Sequence, residues 1–518
     1  MKYSILFGGK AGQGSNILSN ILADALVKKG FYVFNSRDYP SLIRGGHNFN
    51  VLTFSEKPVY SNESKINMIV ALDELTIKNH KSKLVKKGVV LEGKFLNMYF
   101  AGMLFHSLGL DFSLLKNELK KLKRFEENIK QAKQGYDSKK CCVTLPKTTN
   151  KKLNLSTGSV SLSWGAIKSG LDIYYAYPMT PATPVLVELA QMQKKNNLLV
   201  LELENEIAVA NAGVGSSITG AKTMVGTSGG GFALMSEVLS MAGIAGVPLV
   251  FYLAQRKGPA SGVATYQEQG DLQFARGSGH GEFPRIILAP GDEIECEELA
   301  SQAFYLSQKF GNPSIIISDK HLAESFYTSN KKAKITKSRK LTKFGRYNSY
   351  EKDPITGSAT EEAEIVKKNV ENRLKKGFDI VKEAEKLDMF KIYDNNGLEA
   401  SPKNIGSSAY YKNLNSRANY GSKNCVVFWG STKGAVLDAI KDLNVCAIQI
   451  LYIEPFSKKV EKLLKGKNLI LVENNATGQL GNLIREKTGI EIKNKILRYD
   501  GRPFLSDELG KEIKRFLK

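Results

Sequence analysis

Cysteine is scarce in this sequence, and its spacing carries no ligand pattern. Five occur in 518 residues (Cys141, Cys142, Cys296, Cys425 and Cys446), with no Cys-x-x-Cys pair and no disulfide framework. Reduced thiols in a cytoplasmic setting are expected, and a metal or iron–sulfur site built from this chain alone is disfavoured. Long hydrophobic runs are missing too. The longest nearly apolar stretch, Ala242 to Ala254, holds two glycines and a proline and falls short of the roughly 20 residues of a membrane helix. Met1-Lys2 leads straight into a short apolar run ending at Gly8-Gly9, so no secretory signal is expected. A G-x-x-x-x-G-K-[ST] phosphate loop and recognisable nucleic-acid motifs are likewise absent.

What remains is the composition of a globular chain, 42% hydrophobic and 24% charged. Single cores stop growing near about 250–300 residues, so about three domains are expected. Lys and Arg number 74 against 51 Asp and Glu, a formal charge of +23. Clustered cations would suit nucleic acid, yet these are spread along the chain. A lysine-rich background accounts for them, with docking of acidic partners such as a ferredoxin or a polyanionic coenzyme the weaker reading.

Residues Lys2 to Phe7 read as a strand, then comes a glycine-rich turn from Gly8 to Gly14. Ile17, Leu18, Ile21, Leu22, Ala25 and Leu26 then recur at helical spacing, and a second strand follows at Tyr32 to Phe34. The unit is βαβ, and a helix start of this kind can hold an anion; a tight turn without ligand explains it equally well. Between the second strand and one at Asn50 to Phe54 lies Arg37-Asp38-Tyr39-Pro40-Ser41-Leu42-Ile43-Arg44-Gly45-Gly46-His47. Arg44 and His47 suit phosphate, or an ordinary interface loop with a satisfied histidine. Further strands are expected at Asn67 to Ala71 and Gly88 to Leu91, helices from Asn97 to about Lys133, and a linker from Lys133 to Lys152.

From Ser161 to Asp319 helix and strand patterns alternate, implying a doubly wound parallel sheet. Three loops follow apolar runs that read as buried strands. Ala176 to Pro184 is Ala-Tyr-Pro-Met-Thr-Pro-Ala-Thr-Pro, Glu204 to Ala208 is Glu-Asn-Glu-Ile-Ala, and Gln255 to Gly262 is Gln-Arg-Lys-Gly-Pro-Ala-Ser-Gly. Parallel sheets bind ligands at the carboxyl ends of their strands, where these loops would converge. Thr180 sits between Pro178 and Pro181, whose rings restrict its backbone. Arg256 offers a planar fork suited to a carboxylate. Glu206 opens a helix, where its charge is favoured by the dipole even without chemistry. Gly226-Thr-Ser-Gly-Gly-Gly231 permits close backbone approach, and Gln269-Gly-Asp271-Leu follows. Beyond these, Lys331 to Arg346 is a basic connector, Glu361 to Lys386 an amphipathic helix, and Asn404 to Asn424 a second linker. The last segment holds Cys425-Val-Val-Phe-Trp429, Gly-Ser-Thr-Lys-Gly434 and Glu473-Asn-Asn-Ala-Thr-Gly-Gln479. Lys433 there suits either an anion or, better, a domain interface.

These motifs together resemble the 2-oxoacid:ferredoxin oxidoreductases, in the form whose γ and α parts are fused, an order typical of the 2-oxoglutarate and broad-specificity branches. The resemblance implies an α/β chain of three domains. Residues 1–150 would be the γ-type domain associated with coenzyme A and 151–330 the pyrimidine-binding domain for thiamine diphosphate. A basic connector and helix would occupy 331–423, and a transketolase C-terminal-like domain 424–518. It places Glu206 on the cofactor's aminopyrimidine ring with Gly229 and Gly230 nearby, Thr180 and Tyr177 beside the substrate, and Arg256 on the 2-oxoacid carboxylate. Departures at Met179, Ala182-Thr183, Lys257 and Ala260-Ser261 bear on fine specificity, not on reaction class. No Gly-Asp-Gly motif with a following asparagine is present. The resemblance implies that Mg²⁺, the diphosphate anchor and a [4Fe–4S] cluster reside on a separate β subunit, with ferredoxin as acceptor. A transketolase-like carboligase subunit and a non-catalytic basic scaffold or nucleic-acid-binding protein are the alternatives.

Overall fold

The computed structural model describes residues 1–40, 46–93, 96–138, 142–150, 152–339, 348–397, 399–400 and 422–517. Arg44, the end of the basic connector from 340 and the second linker up to 421 lie outside the described residues. Among the described residues no helix is long and apolar enough to cross a membrane.

One compact unit comprises Met1–Thr157, Glu324–Lys331 and Leu505–Leu509. Its sheet contains β1 (Lys2–Lys10), β2 (Tyr32–Asp38), β3 (His47–Ser55), β4 (Ile66–Ala71), β5 (Leu84–Glu92), β6 (Asn154–Thr157) and β13 (Phe326–Ser329). The spatial order is β5-β4-β1-β3-β2-β13-β6. β3 runs antiparallel to both β1 and β2 and lies between them, so the expected βαβ unit is split by an inserted strand. β1 also continues past Phe7, because Gly8 and Gly9 pair with Phe49 and Asn48 of β3. The helix Ser15–Lys28 buries Leu18, Ile21, Leu22, Ala25 and Leu26 with Phe7 and Val33 in one core, while Ile17, counted in the same stripe, is exposed. The expected linker begins inside the helix Phe125–Asp137. Beyond it, Cys142 and Val143 donate their backbone N–H groups to Ser107 O.

The second unit comprises Gly158–Ala323, Lys332–Phe504 and Gly510–Lys518 and holds two sheets. The first contains β7 (Ile173–Ala176), β8 (Leu199–Glu202), β9 (Thr223–Thr227), β10 (Leu249–Gln255), β11 (Ile286–Leu288), β12 (Ser314–Asp319) and β18 (Tyr452–Glu454), in the order β18-β11-β12-β10-β9-β7-β8. β7 to β12 are mutually parallel, and only β18, from the chain's last third, runs antiparallel. β9, β10 and β12 are buried along their whole length, as helices on both faces require. β8 departs from the buried strand expected there. It forms the sheet edge, and Leu199 is exposed.

The third sheet contains β14 (Phe390–Tyr393), β15 (Glu399–Ala400), β16 (Asn424–Trp429), β17 (Cys446–Ile450), β19 (Asn468–Glu473) and β20 (Asn494–Leu497), in the order β15-β14-β17-β16-β19-β20. β17, β16, β19 and β20 are parallel. The two sheets of this unit are joined by polar contacts. Gln269 donates through Nε2 to Trp429 O (3.0 Å) and accepts at Oε1 from Asn474 N (3.0 Å). Three α/β layers therefore organise the chain.

Candidate active site

Because β7, β8, β9 and β10 are parallel neighbours, their following loops leave the same edge of the sheet. That edge brings Thr180 and Arg256 together. Arg256 Nη1 donates to the carbonyl oxygen of Thr180 at 2.8 Å. It is the main chain of the proline-flanked loop, not the Thr180 hydroxyl, that receives the bond. Among the described residues that hydroxyl and the remaining guanidinium donors have no partner, so both are available to a ligand. Burial lowers the Arg256 pKa from its ordinary value, and Asp271 opposes the shift. Tyr177, on the same loop, is 39% exposed.

Glu206 is the first residue of the helix Glu206–Ile218. Asn205 caps it by accepting from Ala208 N at 2.9 Å, the standard use of a short polar side chain before a helix. The Glu206 side chain is buried, yet its Oε1 has no hydrogen-bond partner among the described residues. A buried carboxylate oxygen without a donor is costly unless a ligand supplies one.

The wall facing that oxygen is made of glycine. Gly229–Leu234 forms a short helix after β9. A methyl group on Gly231 would sit 2.1 Å from Thr227 Oγ1 and 2.5 Å from Glu206 Oε1, so no other residue fits. One on Gly229 would sit 2.6 Å from Asp271 Oδ2, while one on Gly230 would meet nothing within 4 Å. Gly230 thus borders open space. An acceptor without a donor beside a bare backbone wall suits a flat heterocycle carrying an N–H, and the aminopyrimidine ring of thiamine diphosphate meets that description.

Asp271 was a motif member in the sequence without a role of its own. Its backbone N–H is held by Gln255 Oε1 (2.8 Å). Burial pushes its carboxyl up to about 6, with Glu268 adding to the shift and Arg256 opposing it. Glu268 in turn pairs with Lys257 Nζ (2.6 Å) and accepts from Gly258 N (3.0 Å). The signal available beforehand was only its place after a buried glutamine, because its contact with Gly229 is made through the fold.

Two other candidates are occupied elsewhere. Lys433 is buried against Asp292 and Glu295, 2.5 Å from Glu295 Oε1, so it joins the two sheets of its unit and leaves no cation for an anion. In the other unit, His47 Nε2 meets His80 Nε2 at 2.8 Å.

Residues 164–387 match the family described as pyruvate flavodoxin/ferredoxin oxidoreductase, thiamine diphosphate-binding, and residues 4–92 match pyruvate ferredoxin/flavodoxin oxidoreductase. The 2-oxoacid:ferredoxin oxidoreductase subunit alpha of Saccharolobus solfataricus is 29% identical across 99% of this chain and 98% of that protein. The 2-oxoglutarate synthase subunit KorA of Archaeoglobus fulgidus is 34% identical across 34% of this chain and 51% of that protein. Among solved structures, the 2-oxoglutarate:ferredoxin oxidoreductase of Magnetococcus marinus, with 2-oxoglutarate, coenzyme A and succinyl-CoA bound, aligns over 100% of both chains. Its TM-score is 0.84 at 22% identity, which speaks for the fold.

Proposed function

Because the chain belongs to the 2-oxoacid:ferredoxin oxidoreductases as an α-type subunit, we propose that it catalyses, with a separate β subunit, the coenzyme A-dependent oxidative decarboxylation of 2-oxoglutarate, with ferredoxin as acceptor. Succinyl-CoA and CO₂ would be the products. An α subunit works with other subunits of its enzyme, and the family name supplies the acceptor. Mg²⁺, the diphosphate anchor and the [4Fe–4S] cluster are assigned to the β subunit, in a heterodimer or a dimer of heterodimers.

Thiamine diphosphate, when bound, supplies the electron sink that decarboxylation needs and no side chain offers. Glu206 would hold it by accepting a hydrogen bond at Oε1, stabilising a protonated ring nitrogen there. Gly229 and Gly230 would let the ring approach the backbone. Arg256 would bind the substrate carboxylate with the part of its fork not used on Thr180. The Thr180 hydroxyl, on a loop already pinned by prolines, would orient the same substrate at small ordering cost, with Tyr177 covering it from the open side.

The observation that carries this reading is the buried Glu206 Oε1 without a donor. Its test is reconstitution with the β subunit, comparing wild type with Glu206→Gln. The variant should assemble and lose turnover by about 10²–10⁴-fold, the usual worth of a positioned proton-handling group. Near-normal turnover would remove Glu206 from the chemistry. A panel of 2-oxoacids with a low-potential acceptor tests the substrate, and a preference for pyruvate over 2-oxoglutarate would overturn that part alone.

A further inference from the structure

We propose that the Thr227 hydroxyl and the Met179 thioether form a bridge that sets the spacing between the substrate loop and the glycine wall, with Thr227 a positioning residue that acts on Thr180 through Met179. The proposal deepens the reading of this sheet edge as the substrate site and rests on it.

The bridge joins side chains from two different strand ends. Thr227 closes β9 (Thr223–Thr227) and is buried. Met179 is half-buried in the loop after β7, immediately before Thr180. Thr227 Oγ1 donates to Met179 Sδ at 3.9 Å, a length that the large sulfur acceptor of a thioether allows. The other acceptor in reach of this hydroxyl is the neighbouring carbonyl, Ser228 O at 3.4 Å. The same hydroxyl lies against the wall, because a methyl group on Gly231 would sit 2.1 Å from it and 2.5 Å from Glu206 Oε1. Thr227 thus stands beside the proposed ring site on one side and reaches the substrate loop on the other.

The loop has few other ties. Its backbone closes on itself, where Met179 O accepts from Ala182 N (2.8 Å) and Thr183 N (3.2 Å). Outward, the Thr180 carbonyl accepts from Arg256 Nη1 at 2.8 Å, and that guanidinium is the group a substrate carboxylate would claim. Among the described residues, Met179 carries the only side-chain hydrogen bond of residues 177–181. It is therefore the side-chain tie that does not depend on the arginine. A loop pinned before the substrate arrives leaves less ordering to be done on binding, so Thr180 stays in place as Arg256 engages the 2-oxoacid. Loss of the bridge moves that ordering into the binding step. KM then rises while kcat is kept, because Glu206 and the wall are untouched.

The experiment uses the assembled complex of this chain with its β subunit. It compares Thr227→Val, Thr227→Ser, Met179→Leu and the double variant Thr227→Val/Met179→Leu. Valine removes the donor, and leucine removes the acceptor while keeping nearly the volume of methionine. Thr227→Val and Met179→Leu should each raise KM for the 2-oxoacid by about 3–10-fold, the worth of one neutral hydrogen bond, with kcat within about twofold of wild type. The double variant should be no worse than either single one, since one bond can be lost only once. Thr227→Ser should return KM to that of wild type.

A second readout is independent of turnover. With ¹³C-methyl methionine in this chain, Met179→Leu removes one of ten methyl signals and so identifies it. Thr227→Val should shift that signal, and Thr227→Ser should leave it in place. Effects on KM that add in the double variant overturn the proposal, as does a Met179 signal that ignores Thr227→Val. Should Thr227→Val fail to assemble, a wild-type KM in Met179→Leu overturns it alone. An Arg256→Ala complex with the KM of wild type would sink the substrate-site reading instead, and the methyl signal would still report on the bridge.

Discussion

Arg256 shows how much a single side chain can settle. One of its donors is committed to the Thr180 carbonyl at 2.8 Å, and its loop leaves the same sheet edge as the one that carries Glu206. A lysine there could reach one oxygen but could not present two parallel donors. Arg256→Lys should raise the KM for the 2-oxoacid by about 10–100-fold, the worth of one charged hydrogen bond. The melting temperature should stay unchanged. A KM within twofold of wild type in steady-state assays would remove Arg256 from substrate binding. That Thr180, Glu206 and Arg256 sit past strand ends was legible in the sequence, because each follows an apolar run and a run of that kind announces a strand. The bond from Asp271 N–H to Gln255 Oε1 was not legible, since 16 positions separate the two residues and only the return of the loop closes the gap.

The element that lies against Glu206 is the glycine helix Gly229–Leu234. Its three glycines look alike in sequence, and their surroundings differ. Gly231 has no room for a side chain, while Gly230 faces open space. Gly230→Ala should therefore fold with unchanged stability and place a methyl group in the open space beside the helix, weakening thiamine diphosphate binding in the assembled complex. Gly231→Ala should drive Thr227 and Glu206 apart and lower the melting temperature as well. Parallel effects of the two variants on stability would contradict this division. The strands tell a similar story about what patterns can reveal. β10 was evident as an apolar run because both faces are covered, and β9 and β12 are buried along their whole length in the same way. The position of β8 at the edge, and the continuation of β1 through Gly8 and Gly9, depend on which neighbour pairs with them. Composition does not record that.

At the scale of the whole chain, the plan of three α/β layers was readable, but the assignment of short segments to sheets was not. β6 and β13 are four-residue strands that pair with each other and, through Phe326 and Asn35, with β2. Partners so distant along the chain leave no local signal. β18 likewise leaves the third sheet's segment to flank β11. What makes such long-range joins hold is visible at Lys433. Burial alone would raise the Glu295 carboxyl, but Lys433 and Lys391 hold it down to about 2. A carboxylate depressed in the folded state contributes stability above its unfolded value and loses it as pH falls toward the folded one. This join is therefore fully present at neutral pH and fails only in strong acid. Lys433→Met would leave Asp292 without its cation and Glu295 with Lys391 at 3.2 Å and Gln449 Nε2 at 2.6 Å. Breaking one side of a buried pair costs about 3–5 kcal/mol. Scanning calorimetry at pH 7 should show a clearly lower melting transition for the variant, narrowing toward wild type as the pH drops below about 4, where protonation relieves the unpaired carboxylates. An equal melting temperature at pH 7 would mean that the apolar contacts between the two sheets, not this ion cluster, hold them together.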